Sequence, residues 1–163
     1  MEAVTKKDAI RRQLDTAIWL WFQGEDSVSI HTLACSALKV AEDVGRKFDK
    51  RPMLFEHLPK KLTKHAIAAQ GFFKHAKDDP HATLNFDPGI TPYHIYDAAN
   101  CYKSLYHHLT PLMTTFILRF LLLNPSIGSV ELPASLSICG TKGSLSEMSD
   151  AKFFDTVFPI LNR

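Results

Sequence analysis

Residues 91–123 read TPYHIYDAANCYKSLYHHLTPLMTTFILRFLLL, and Thr-Pro occurs in them twice, at 91–92 and at 110–111. A hydroxyl residue followed by proline marks a helix start. The hydroxyl can accept an N–H of the first turn, and proline at the first helical position has no N–H to lose. After Pro92, the residues Ile95, Ala98, Ala99, Tyr102, Leu105 and Tyr106 recur at steps of three and four, which predicts a helix to about His108. After Pro111 a second helix is predicted to Leu123, ended by Asn124-Pro125, because the residue before proline avoids helical angles. This second helix is apolar nearly all round and is expected at the centre of the molecule.

Toward the N-terminus the same periodicity continues. Ile10, Leu14, Ala17, Ile18 and Trp21 predict a helix over Lys6–Phe22 ended by Gly24, with Trp19 and Trp21 on different faces. Asp26 or Ser27 caps the next helix, whose stripe of Ile30, Leu33, Ala34, Ala37, Leu38 and Ala41 runs to about Val44, with Gly45 as its stop. Residues 46–59, with Pro52 and Pro59, read as a loop with a short turn near Phe55. A third helix is predicted over 59–77, ended by Asp78-Asp79-Pro80.

Toward the C-terminus the pattern changes. Val130, Leu132, Ala134, Leu136 and Ile138 alternate with polar residues or proline, a period of two that predicts an edge strand or extended arm, with Pro133 excluding a central strand. Residues 140–149 read as loop. Ser149-Asp150 caps a last helix carrying Phe153, Phe154, Val157 and Phe158, limited by Pro159. The expected fold is therefore all-α: a bundle of about five helices over 1–125, and an irregular extension over 126–163 that ends in a short helix. That extension packs either on the bundle or on a partner subunit.

Of the 163 residues 45% are apolar and 22% charged, which excludes wholesale disorder. The most apolar run, Phe116–Leu123, is eight residues long and contains Arg119. A membrane span needs about 20 residues, so no membrane is expected. The polar N-terminus lacks the apolar stretch of a signal peptide. The cysteines, at 35, 101 and 139, form no CxxC pair, which argues against a zinc knuckle or disulfide framework and for reduced thiols in the cytoplasm. GxSxG, Walker-type, GxGxxG and HExxH motifs are all missing from the chain, and no cofactor is expected.

Charge is unevenly placed. Residues 46–77 hold nine basic and two acidic residues, a balance of +7 against +2 for the whole chain. Such a block attracts phosphates or simply forms a solvated face. Lys60, Lys61, Lys64, Lys77 and Gln70 are the candidate binding residues. His75 lies in the same block beside Lys74; a histidine that titrates near neutrality can move protons while a lysine holds a phosphate. His75-x-x-Asp78 and His94-x-x-Asp97 have a spacing that places two metal ligands on one helix face, although eight histidines produce such pairs by chance. His31, His65, His107 and His108 are further histidines of this kind. The bland reading of His31 is a buried, hydrogen-bonded side chain, of Cys35 a core residue among small neighbours, and of His107-His108 the closure of a helix end.

The segments Phe72-Phe-Lys-His-Ala-Lys-Asp-Asp-Pro80 and Asp26-Ser-Val-Ser-Ile-His-Thr-Leu-Ala34 resemble stretches of a family of small uncharacterised bacterial helical proteins, over about residues 8–125. Those proteins are in turn loosely similar to the HEPN superfamily of small, often dimeric helical bundles, many of them ribonucleases. The resemblance implies a helical bundle, a homodimer, and His75 as the motif histidine. The motif's polar position then falls on Gln70 and its arginine position on Ala69, and no arginine occurs between residues 52 and 118. A bidentate phosphate clamp is thus missing from the motif. The expected function is a binding or interaction module whose basic patch takes RNA, a nucleotide or a protein. The alternative is a HEPN-like ribonuclease using His75, followed by a metal-dependent helical-bundle enzyme.

Overall fold

The computed structural model describes residues 1–48, 68–74 and 80–163. The regular elements among them are helical, with no strand, and the protein is all-α. Helix α1 spans Lys6–Gln23, α2 Ser27–Arg46, α3 residues 68–74, α4 Thr91–Tyr106, α5 Pro111–Leu123, α6 Lys142–Ser146 and α7 Asp150–Leu161. Short 3-10 turns occupy Pro88–Ile90 and Ala134–Cys139. No described helix is long and apolar enough to cross a membrane.

Helix ends follow local chemistry. Thr5 and Asp8 close α1 with a reciprocal capping box, and Gly24 ends it at φ 69°, a left-handed conformation that suits glycine. Asp26 caps α2 through the Ser29 N–H. The α2 helix continues through Gly45 to Arg46 rather than stopping at the glycine. The Thr110 hydroxyl accepts the Met113 N–H at 3.2 Å and donates to Asp15 at 2.6 Å, tying the start of α5 to α1. Thr91 behaves differently from the expected cap. It is the first residue of α4, preceded by the 3-10 turn, and makes no cap; its hydroxyl is turned instead to His31.

α1 and α2 pack along their lengths, and α4 lies against both. α5 touches α1, α4, α6 and α7, the central position that its apolar surface predicts. Trp21, Phe22, Phe116, Phe153 and Phe154 interlock at the middle. Each fully buried phenyl ring stabilises by about 2–3 kcal/mol. Trp19, on the other face of α1, is 47% exposed.

The C-terminal extension departs from its predicted form. The alternating stretch is no strand: Pro133 opens a 3-10 turn, with the Leu136 N–H on the Pro133 carbonyl and the Ser137 hydroxyl on the Ala134 carbonyl. Among the described residues a lone strand has no ladder partner, so local bonds and burial of Leu136 win. The expected loop at 140–149 contains α6. Ser149 caps α7 as predicted, but Pro159 does not limit the helix, which runs on to Leu161. The proline falls near the end, where few intrahelical bonds remain to lose, and Phe153, Phe154 and Val157 anchor the preceding turns.

Arg119 secures the extension. Its buried guanidinium donates to Asp150 at 2.7 Å and to the carbonyls of Leu145, Ser146 and Met148 at 3.0, 3.2 and 2.6 Å. α7 lies against α5 and α1, with the Phe153 and Phe154 rings in the shared core.

Candidate metal centre

His31 and Cys35 lie four residues apart on α2, which puts both side chains on one helix face. That face meets the first turns of α4, where Thr91 and His94 stand. His31, Cys35 and His94 converge with exposures of 0%, 2% and 5%. One donor atom from each lies within 4.8 Å of the others. The His31 and His94 rings meet edge to face, 4.8 Å between centroids.

Both rings are oriented by bonds on their Nδ1 side. His94 Nδ1 lies 3.2 Å from the Ile90 carbonyl, which can only accept, so this nitrogen carries the proton and Nε2 carries the lone pair. His31 Nδ1 lies 2.9 Å from the Thr91 hydroxyl, and its Nε2 lies 3.3 Å from Cys35 Sγ. With the Nδ1–H on Thr91, the thiol donates to Nε2. Hydrogen bonds on the nitrogen away from the metal are a regular feature of metal-binding histidines, fixing tautomer and ring angle.

The wall is aromatic. Phe86 and Phe73 set their edges against His31 at 5.0 and 5.9 Å, and against each other at 5.2 Å. Burial pushes the His31 pKa down to about 4; burial, together with the His31 charge and against the bond to the Ile90 carbonyl, brings His94 to about 4 as well. Burial raises Cys35 to about 12; the Lys74 charge opposes this and the Glu42 charge adds to it. At neutral pH the cluster is two neutral imidazoles and a thiol. Neutral imidazole is the ligating form, and a bound cation would displace the thiol proton. Metal–nitrogen bonds of about 2.0 Å and metal–sulfur bonds of about 2.3 Å require ligand atoms roughly 3.5 Å apart. The widest pair must close by roughly 1 Å, whereas the His31–Cys35 pair already has the right spacing.

The residues singled out in the sequence are distributed differently. His75, Asp78, Lys60, Lys61, Lys64 and Lys77 lie outside the described residues, as do most of the third helix and the turn near Phe55. Lys74 is exposed on α3, and Gln70 is half-buried. Ala69, in the arginine position of the resemblance, is buried. His94 and Asp97 are both buried on α4, but His94 joins His31 and Cys35, and Asp97 is not one of that group. The Asp97 charge is felt at Cys101, whose thiol burial raises to about 12. His107 ends α4 in a left-handed conformation, and His108 bonds Tyr106 and Tyr102. Of the histidine pairings weighed from sequence, none matched His31 with Cys35. The available signal was the four-residue spacing of these two on the buried stripe of α2.

Comparison with protein-family models, with curated proteins and with solved structures finds no match for the chain. The side chains themselves carry the functional reading.

Proposed function

We propose that this protein binds one transition-metal ion between α2 and α4, using His31 Nε2, Cys35 Sγ and His94 Nε2. The observation that carries this is the convergence of three donors in a buried space, with the Nδ1 atoms of both rings already engaged. Thiolate and imidazole suit zinc, copper, nickel or iron and disfavour magnesium and calcium, which take oxygen. All three cysteines are free, and a thiol ligand fits a reducing compartment such as the cytoplasm. Native mass spectrometry after incubation with zinc(II) or copper(I) tests the proposal. One ion per chain is expected, lost in both Cys35→Ser and His94→Ala. A chain that gains no ion from either metal rules it out.

The excess of basic residues between 46 and 77 supports a second reading, an anion-binding surface for RNA or a nucleotide on a homodimer. In its catalytic form, which rests on the HEPN-like resemblance, His75 and Lys74 cleave the RNA. Phe73 packs on His31, so the metal centre lies at the foot of the helix that carries Lys74. Charge reversal at Lys60, Lys61 and Lys64 should weaken RNA binding and flatten its salt dependence. RNA retained with an unchanged salt slope would refute this surface.

A further inference from the structure

We infer that the buried cluster of His31, Cys35 and His94 communicates with solvent through the ring pair of Phe73 and Phe86, and that displacement of these rings sets the rate at which an ion enters or leaves. For an ion this rests on the metal reading above. For a small thiol reagent it stands on the geometry alone.

No ion reaches these donors without an opening, since His31, Cys35 and His94 are 0%, 2% and 5% exposed. They are carried by α2 and α4, which pack together and whose Ala34, Ile95 and Ala98 are fully buried in the core. An opening there would have to separate two helices. The His31 ring also meets Phe73 and Phe86, edge to face at 5.9 and 5.0 Å, and these two meet each other at 5.2 Å. Both are half-buried. Each ring therefore touches His31 and also reaches solvent, and among the described residues this is the thinnest cover over the cluster.

The two rings are held by forces that a rotamer change can exchange. Phenyl edges make dispersion and edge-to-face contacts but no directional hydrogen bond. Phe86 lies in the stretch 82–87, which has no regular secondary structure. Phe73 lies on α3 beside Phe72, which is exposed and 5.8 Å away. The donors are fixed differently. Thr91 and the Ile90 carbonyl hold Nδ1 of His31 and His94 by hydrogen bonds from α4. Phe73 and Phe86 can swing while the donors stay in place.

The test follows uptake of N-ethylmaleimide by the reduced, metal-free full-length chain, resolved by peptide mass spectrometry. Wild type is compared with Phe73→Ala and Phe86→Ala. Cys101 on α4 is the internal reference, because it too is buried and global unfolding exposes both thiols together. Cys35 should be modified about tenfold faster in each variant, with Cys101 unchanged. Phe73→Leu and Phe86→Leu keep the apolar bulk; they should show a smaller gain confined to Cys35, and they decide the matter if the alanine variants do not fold. Equal acceleration of Cys35 and Cys101, or no acceleration at Cys35, overturns the inference. The second measurement is release of zinc(II), or of copper(I) where zinc is not held, to a chromogenic chelator. Release should quicken by the factor seen at Cys35 while equilibrium affinity is unchanged, because an opening alters entry and exit alike. A loss of affinity with an unchanged entry rate overturns the inference and makes the rings supports for His31. A wild-type chain that takes up neither ion removes the metal reading, and the maleimide comparison then decides the route by itself.

Discussion

Cys35 Sγ lies 3.3 Å from Nε2 of His31, one helical turn away on α2, in a space where neither side chain reaches water. Proximity of a thiol and a neutral imidazole in the core is satisfied by one hydrogen bond. The approach of His94 from α4, with its own Nδ1 bonded to Ile90, goes beyond that need. Four predictions follow from this arrangement and from the clamp that holds the tail.

Metal binding should raise stability by mass action. An ion at a hundred times its dissociation constant adds about 2.7 kcal/mol if the unfolded chain does not bind it. The Tm should therefore rise with ion concentration in the wild type. Cys35→Ser should keep its helical circular dichroism and lose the ion-dependent rise. A rise of equal size in Cys35→Ser would place the ion elsewhere.

Acid should destabilise the metal-free protein through His31 and His94. Their folded pKa values, about 4, lie below the ordinary 6.5, so between these limits the unfolded chain binds more protons than the folded one. Stability then rises with pH across that window: it is full above 6.5 and is lost as pH falls toward 4. Urea midpoints at pH 7.5 and pH 5 check this. His94→Gln should show a smaller acid loss than wild type.

Thr91 is expected to position His31 rather than to cap α4. Thr91→Val leaves the His31 Nδ1 unpaired in the core, at a cost of about 1–3 kcal/mol. Loss of such a supporting bond weakens metal affinity by about 10–100-fold. Chelator competition measures the second effect separately from the urea midpoint. A variant with reduced stability and unchanged affinity would make the Thr91 bond purely structural.

Arg119 holds the extension through four bonds from one guanidinium. Arg119→Met removes donors from three main-chain carbonyls and should cost about 3 kcal/mol. Limited proteolysis should then cut first within 126–150. Unchanged protease resistance there would mean that the aromatic packing of α7 suffices alone.

The bundle was largely legible in the sequence because its signals are local. The Thr110 cap, the Ser149 cap, the Gly24 stop and the apolar surface of α5 each follow from neighbours within a few residues. The extension was misread where a period of two was taken for a strand, since alternation alone does not tell a ladder from a 3-10 turn with one buried leucine. The site was less legible. The spacing of His94 and Asp97 describes one helix face, whereas the contact that matters joins His94 to a residue 63 positions earlier. Thr91 shows the same limit: its sequence context predicts a cap, and a tertiary partner claims the hydroxyl.

The most direct test of the metal centre is a long-range proton–nitrogen NMR spectrum of the histidine rings, before and after one equivalent of copper(I) or zinc(II). Of the eight histidines, two are predicted to change, His31 and His94, with Nε2 moving to the shift of a ligated nitrogen while Nδ1–H is retained. Unchanged rings on these two residues, or ligation at other histidines alone, would contradict the assignment.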